Sequence, residues 1–495
     1  MFNTGRHSSA AERANKIMNT LEFVVDNNAQ IHTKYVTIHA NYADIVNGSA
    51  LHIMNSPVLR DKMFPNVHSI MLLLSIEDIV TFPHETECNI NIMNYAIRLN
   101  QLFPKASSCH LEGDRFHTNA GQANVAGFEL LVASLLVNRK EIIYRALGGF
   151  VLDNFLAMSK LTKISLRETN DSDLFAQLIS LNSSMLVELD FEFYNQSFLR
   201  DIVRTDDGAT IYYPSLKRLQ LFYRGSRVEE PELQLDGAPF PALVVLKLFE
   251  VAGISSDMLF KSNHLTLEYI DIVAIVNEYQ FLSSAGGDVQ IKFPKLKHLN
   301  LCLFYNGNPS QLDAEHRLLE FAINSGPNVQ RMKLDLAHCF DKDNLVNKLC
   351  SSSAARHLVF LEIIHLEFSI LDVISILRCT PNLTYLALQP PEEKSAQARE
   401  TLEYVVDGKR LAHFHRTYKM DKSRLTVVAF ENCSDPTISA HFGQMLGILC
   451  PKMSTIRWRG HMPFFEPTHR LVCCLSAYSG FKERLQGIGW TEVHK

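Results

Sequence analysis

The stretch that decides the fold is Phe293-Pro294-Lys295-Leu296-Lys297-His298-Leu299-Asn300-Leu301. A proline follows an aromatic residue in it, and apolar residues then come at spacings of three and two. Other copies with the proline begin at Phe64, Tyr213, Phe240, Gly326, Thr380 and Cys450. Copies without it begin at Leu161, Leu186, Leu267, Leu358 and Leu425. Counted by the first apolar residue, neighbouring copies between Leu161 and Leu383 lie 24 to 33 residues apart, which indicates stacked repeats.

The segments between these copies have helical periodicity. Their apolar residues return at intervals of three and four, as in Asp313–Ile323. Further helices are predicted at Ile90–Leu102, Leu174–Leu181, Leu345–Cys350, Ile370–Leu377 and Phe442–Leu449. The interval is close to the leucine-rich-repeat period of roughly 20–29 residues. The predicted fold is therefore an α/β leucine-rich-repeat solenoid, an irregular horseshoe with a parallel inner sheet and helices outside.

The pattern divides the chain into three parts. Residues 1–60 are predicted to be an N-terminal cap, with a helix at Ala10–Val25 and a first strand at Tyr35–Ile38. Residues 61–460 carry the repeats, with an enlarged repeat near 103–160 and a surface excursion at 389–424. Residues 461–495 are predicted to cap the last repeat, because a terminal repeat would otherwise expose its apolar face.

Composition and motifs argue against several classes of protein. The net charge is −5, and there is neither an apolar signal segment nor a stretch long enough to span a bilayer. We therefore expect a cytoplasmic or nuclear protein that does not associate with a membrane and that is a monomer outside complexes. The ten cysteines are scattered and are expected to be reduced. No nucleotide-binding, hydrolase or metalloprotease motif occurs, so no enzyme and no cofactor are predicted. His413 and His415 lack further ligands, so no metal is predicted.

The repeat phrase resembles the leucine-rich repeats of F-box proteins, particularly large fungal F-box-like families. The resemblance rests on the starts at Phe64, Phe240 and Phe293 and covers about Phe64 to Trp458. It implies the substrate-recognition subunit of an SCF-type ubiquitin ligase, which docks a Skp-type adaptor. The F-box itself is not recognisable, since no Leu-Pro pair precedes the first repeat. The alternative is a free-standing interaction scaffold without a ubiquitin link.

The residues between the apolar positions of each strand predict a binding face. Strand side chains alternate, so these residues face the concave surface, where a protein ligand is expected. The candidate residues are Arg218, Phe222, Lys247, Phe249, Tyr269, Asp271, His298, Arg331, Lys333, Phe360, Tyr385, Arg457 and Arg459. Aromatic residues and arginine are enriched at binding hot spots. A patch of Phe222, Phe249 and Tyr269 is predicted, with a polar rim of Arg218, Lys247 and Asp271.

Three other interpretations concern the same face. Loops could cover the aromatic residues, and the acidic residues Glu188–Glu192 are interpreted as a solvated strand face. A solenoid that binds nucleic acid would use Arg331, Lys333, Arg457 and Arg459 with the basic residues of 409–424.

The strand register also predicts that Leu299→Asp unfolds the array locally, because it buries an unpaired charge. By the same register, Asn300→Asp is predicted to be nearly silent.

Overall fold

A computed structural model describes the fold between residues 23 and 459, with gaps. The described residues are 23–25, 27, 29–75, 85–113, 127, 130–132, 134–135, 139–145, 160–167, 172–193, 197–205, 207–223, 238–249, 259–260, 263–275, 292–304, 323, 326–336, 342–391, 408–420, 422–431 and 436–459. The chain forms two compact units, Met1–Leu243 and Val244–Lys495.

In the first unit, seven described strands lie side by side in sequence order, and each pairs in parallel with the next. They are β1 (Tyr35–Asn41), β2 (Ser69–Ser75), β3 (Ser108–Gly113), β4 (Glu141–Arg145), β5 (Lys163–Arg167), β6 (Glu188–Phe193) and β7 (Arg218–Tyr223). β1 confirms the predicted first strand. Parallel neighbours need a crossover connection, and the segments between repeat phrases supply it.

The second unit has eight described strands with the same parallel order. They are β8 (Val245–Phe249), β9 (Tyr269–Ile275), β10 (His298–Phe304), β11 (Arg331–Leu336), β12 (Phe360–Glu367), β13 (Tyr385–Gln389), β14 (Val427–Glu431) and β15 (Thr455–Arg459). Strands in sequence order joined by helix-containing connections confirm the predicted α/β leucine-rich-repeat solenoid.

Helices occupy connections in both units. The first unit contains α1 (Tyr42–Val46), α2 (Ser49–Met54), α3 (Glu85–Leu102), α4 (Ser172–Leu181) and α5 (Ser197–Val203). The second contains α6 (Lys342–Ser351), α7 (Ile370–Cys379), α8 (Gly408–Tyr418) and α9 (Pro436–Leu449). Predicted helices within α3, α4, α6, α7 and α9 are confirmed. Most of the one predicted at Ala10–Val25 lies outside the described residues, as does Asp313–Ile323 except for Ile323.

The helices pack on one face of the sheet and bury its apolar side chains. Phe191 of β6 stacks on Phe198 of α5, with ring centroids 3.9 Å apart. Phe430 of β14 meets Phe442 of α9 edge to face at 6.0 Å. All four rings are fully buried. Each buried aromatic or aliphatic side chain stabilises the fold by about 1.5–3 kcal/mol, so repeated burial holds neighbouring repeats together.

The asparagine after the proline of the repeat phrase connects successive repeats. The amide of Asn328 donates to the carbonyl of Pro294 at 2.8 Å, and that of Asn382 donates to the carbonyl of Arg356 at 2.7 Å. In both cases the acceptor lies in the preceding repeat. These bonds satisfy loop carbonyls where no strand pairing is available, which explains the asparagine beside the proline in these two repeats.

The sequence pattern missed two strands, β3 and β4, both in the stretch near 103–160. Before β3 the phrase is present, but Ala106 and Cys109 replace leucines at its buried positions. Before β4, Arg139 takes the first apolar position and is only 6% exposed. Its guanidinium donates to the carbonyls of Leu135 and Ala106. A buried arginine thus fills a position where the pattern required an apolar side chain.

Candidate recognition surface

The side chains of each strand divide between a buried face and an open face. In β10, Leu299 and Leu301 are buried, whereas His298, Asn300 and Cys302 are partly exposed. The same alternation holds in β8 and β11. The open face lies opposite the helices and comprises the first, third and fifth residues of each strand. This alternation follows from strand geometry and agrees with the register inferred from the sequence.

Five planar side chains form a continuous row on the open face of the second unit. They are the first residues of β9 to β13, namely Tyr269, His298, Arg331, Phe360 and Tyr385. The strand register places each of them directly beside the next. None of the five is buried, and Arg331 is the most exposed. We refer to this set as the planar row.

Three of the four neighbouring pairs in the planar row stack on one another. The rings of Tyr269 and His298 have centroids 5.7 Å apart and planes inclined by 28°. The guanidinium of Arg331 lies 4.6 Å from the ring centroid of Phe360. Phe360 and Tyr385 are nearly parallel, at 4.3 Å and 4°. Because these neighbours cover the ring faces, the rings present mainly their edges to solvent.

His298 sits between an aromatic ring and a cation. Burial lowers the pKa of His298 below its ordinary value, and the charges of Arg331 and Lys297 lower the pKa further. The imidazole is therefore mostly neutral at pH 7, so Arg331 has no added positive charge beside it. This favours the close spacing of the planar row at neutral pH.

A hydrogen-bonded cluster around Asp271 lies beside the planar row, at the third position of the strands. Asp271 is only 6% exposed and accepts a hydrogen bond of 2.7 Å from the Asn300 amide. The Tyr269 hydroxyl is 3.4 Å away and the Lys247 ammonium 3.7 Å. Burial raises the pKa of Asp271 above its ordinary value, although these neighbours oppose that shift. The cluster anchors Tyr269 from the side.

The next two strands carry ion pairs on the open face. Lys333 reaches the carboxylate of Glu362 at 2.8 Å, and Glu362 is buried. Burial alone would lower the pKa of Lys333, but the hydrogen bond to Glu362 and nearby negative charges raise it overall. His365, whose backbone φ is 67°, lies 3.3 Å from Asp335. Lys333 and Asp335 are therefore occupied within the protein.

Two arginines on the open face of the second unit remain available for a partner. Arg331 and Arg457 are exposed and form no salt bridge with any of the described residues. The first residues of β8 to β15 include no carboxylate at all. The row that carries the planar groups is thus locally positive, although the whole chain has a net charge of −5.

Charges also pair with one another on the open face of the first unit. Lys163 lies 3.0 Å from Glu188, and Arg167 lies 2.9 Å from Asp190. Arg167 also covers the ring of Phe222, with its guanidinium 4.3 Å from the centroid. The interpretation of Glu188–Glu192 as a solvated strand face is wrong in detail. Glu188 and Asp190 are paired, and Glu192 is only 5% exposed.

The structure assembles some of the predicted site residues and separates others. The predicted patch that joined Phe249 to Tyr269 is wrong, because Phe249 pairs in register with Val273 and Tyr269 pairs with Val245. Asp271 is buried within its cluster and does not form an exposed rim. Phe222 and Arg218 belong to β7, in the first unit. For Arg459 only the backbone position in β15 is described.

Sequence reasoning listed the members of the planar row but missed their continuity. Each is the first residue of its strand, two positions after the first apolar residue of its repeat phrase. Aligning the phrases by that residue would have placed the five side chains in one row. The expectation that Asn300→Asp is silent also changes, because the new carboxylate would face Asp271.

Comparisons with known proteins add a likeness in structure only. No protein-family model matches the sequence, and no curated protein matches it. The crystal structure of the leucine-rich repeat-containing protein LegL7 from Legionella pneumophila aligns over 92% of this chain and 99% of its own. The sequence identity is 13% and the TM-score is 0.26. The described residues contain no group of three or more metal-ligating side chains, and none of the described helices could cross a membrane.

Proposed function

We propose that the chain is a non-catalytic recognition solenoid whose planar row binds an acidic segment of a protein partner. The observation that carries the proposal is that five planar side chains lie side by side in one row on the open face. Tyr269 stacks on His298, and Phe360 stacks between Arg331 and Tyr385. Arginine and tyrosine are enriched among residues that dominate binding energy at protein interfaces. Their concentration in one row favours a protein-binding surface.

The row is also arranged before any partner arrives. Phe360 is held between Arg331 on one side and Tyr385 on the other, and Tyr269 is anchored by Asp271. Side chains that are already ordered lose less conformational entropy on binding. A preformed row therefore supports recognition without rearrangement of the sheet.

The charge of the row favours an acidic partner. Arg331 is exposed and has no carboxylate partner among the described residues, while Lys247 and Lys333 are neutralised by Asp271 and Glu362. A carboxylate of a bound peptide could pair with the free edge of the Arg331 guanidinium, which presents a fork of donors. The partner segment would thus combine acidic and apolar side chains.

The same geometry argues against nucleic acid as the ligand. Nucleic-acid platforms stack bases on open aromatic faces, but the faces of Phe360 and Tyr269 are covered by neighbours. The covered ring faces support a protein ligand.

Selection of peptides from a random display library against the full chain tests this proposal. We expect selected peptides to be rich in Asp, Glu and apolar residues. Arg331→Ala should weaken their binding at least tenfold, or about 1.4 kcal/mol. The matched control is Arg356→Ala, an exposed arginine before β12 and outside the open face, which should leave the affinity unchanged. Basic peptides, tight RNA binding at low salt, or no selectable peptide would overturn the proposal.

A narrower role as the substrate-recognition subunit of an SCF-type ligase stays a prediction from the family resemblance. It requires that the protein also bind a Skp-type adaptor. A pull-down with purified adaptor, using the full-length protein, tests this role. Failure to bind would leave the free-standing scaffold, with its planar row unchanged, as the account of function.

A further inference from the structure

Two cysteines on neighbouring helices of the second unit lie in direct contact. Cys350 is near the end of α6, and Cys379 is the last residue of α7. Their Sγ atoms are 2.7 Å apart. This is longer than a disulfide bond of about 2.05 Å but shorter than an ordinary contact between two sulfur atoms. A small movement of the two side chains would therefore allow a bond to form.

The pair differs from the other described cysteines. Cys88, Cys109 and Cys450 are buried, and Cys302 lies beside the carboxylate of Asp335 at 3.4 Å. Buried thiols behave as small apolar side chains.

Cys350 and Cys379 are only half-buried, so a small oxidant can reach them. They are separated by 29 positions, and α6 and α7 belong to successive repeats.

We propose that Cys350 and Cys379 form a reversible disulfide, a redox modification site that links two successive repeats. The oxidant is a low-molecular-weight disulfide of the glutathione type. The Cys350 thiolate attacks one sulfur of that disulfide, forms a mixed disulfide and releases one thiolate. The Cys379 thiolate then attacks the Cys350 sulfur, forms the protein disulfide and releases the second thiolate. Two protein thiols are oxidised, and the two released small thiolates take up the two protons that the protein thiols lose, so two small thiols are produced.

The order of the two attacks follows from the contact itself. Hydrogen bonding with Cys379 lowers the pKa of the Cys350 thiol, against the effect of burial. The same contact and burial raise the pKa of Cys379. The thiolate form is the nucleophile, so Cys350 reacts first. Once Cys350 is part of the mixed disulfide, Cys379 no longer shares its proton with a neighbouring thiolate.

The crosslink would join two helices that follow the strands of the planar row. α6 follows β11, which carries Arg331, and α7 follows β12, which carries Phe360. A disulfide between them restricts the unfolded chain and so should protect this pair of repeats from local opening. The inference does not depend on the proposed partner, because it concerns sulfur chemistry on the helix side.

Peptide mapping of the full chain tests the proposal. The protein is equilibrated with buffers of increasing glutathione disulfide, free thiols are alkylated, and the product is digested with trypsin. Cleavage after Lys348, Arg356, Arg378 and Lys394 places each cysteine alone in its peptide. We expect peptides 349–356 and 379–394 to become linked, with a mass about 2 Da below their sum, and dithiothreitol to release them.

The controls separate this pair from general oxidation. Cys350→Ser should abolish the linked product and leave Cys379 available to the alkylating reagent, whereas Cys302→Ser should change nothing. In the linked protein, amide hydrogen exchange in α6 and α7 should be slower than in the reduced protein. Recovery of both peptides only as alkylated species or separate glutathione adducts, even in the most oxidising buffer, would overturn the proposal.

Discussion

The side-chain amide of Asn300 donates a hydrogen bond of 2.7 Å to the carboxylate of Asp271 on the neighbouring strand. Asp271 is nearly buried, and burial raises its pKa above the ordinary value. The hydrogen bond therefore offsets part of the cost of burying the charged form of this carboxylate. It also couples the positions of β9 and β10 beside the planar row.

Asn300→Asp should destabilise the second unit, and more strongly at pH 7 than at pH 4. The substitution removes a donor and places two carboxylates together. The pKa of Asp271 should then rise further. A raised carboxylate pKa means that the folded state binds more protons than the unfolded state, so stability falls as pH rises through this range. Urea unfolding at both pH values measures the difference.

Asn300→Ala is the control for that prediction. It removes the hydrogen bond, at a cost of about 1–3 kcal/mol, but adds no charge. Loss of the donor raises the pKa of Asp271 in both variants, but the extra loss at pH 7 should be larger in the aspartate variant, which adds a second carboxylate. Equal losses for the two variants at both pH values would contradict the coupling to Asp271.

Leu361→Ala should lower stability, whereas Phe360→Ala should lower binding affinity, since the two residues lie on different faces of β12. Leu361 is fully buried, so its truncation should cost roughly 2–5 kcal/mol of stability. Phe360 is partly exposed, and its truncation should mainly weaken binding of the selected acidic peptide. Thermal unfolding and peptide titration on the same preparations compare the two effects. Similar losses of stability would show that Phe360 belongs to the core.

His298→Gln should reduce the pH dependence of stability below pH 7. Burial lowers the pKa of His298 in the folded protein. The unfolded state therefore binds a proton more readily than the folded state as pH falls through the ordinary histidine range. The free energy of unfolding falls over the same range of pH. Free energies of unfolding between pH 7.5 and 5.5 should fall more steeply in the original chain than in the variant. Parallel curves would contradict this assignment.

The sequence predicted most of the fold because leucine repeats encode strand position directly. Leu299 and Leu301, read from the repeat phrase, are indeed buried. The pattern failed where another chemistry fills the same position, as with Arg139, which is held by backbone carbonyls. It also could not show that Asn300 contacts Asp271, because cross-strand partners depend on the register between repeats and not on the spacing within one.

The candidate surface was only partly predictable for the same reason. The sequence identified Tyr269 and Phe360 as outward-facing, but it joined Tyr269 to Phe249 because both are aromatic and close in sequence order. The strand register instead places Phe249 beside Val273. Similarly, Cys350 and Cys379 gave no signal in sequence, since their contact arises from the packing of two helices.

The central claim is that Arg331 of the planar row contacts an acidic segment of a protein partner, and a charge-reversal experiment tests it most directly. Affinity is measured for a selected acidic peptide and for a version with its acidic residues replaced by lysine, on the original chain and on Arg331→Glu. We predict that Arg331→Glu lowers the affinity for the acidic peptide at least tenfold. The same variant should bind the lysine version more tightly than the original chain does. If the lysine version binds both proteins equally, Arg331 does not face the peptide and the account is wrong.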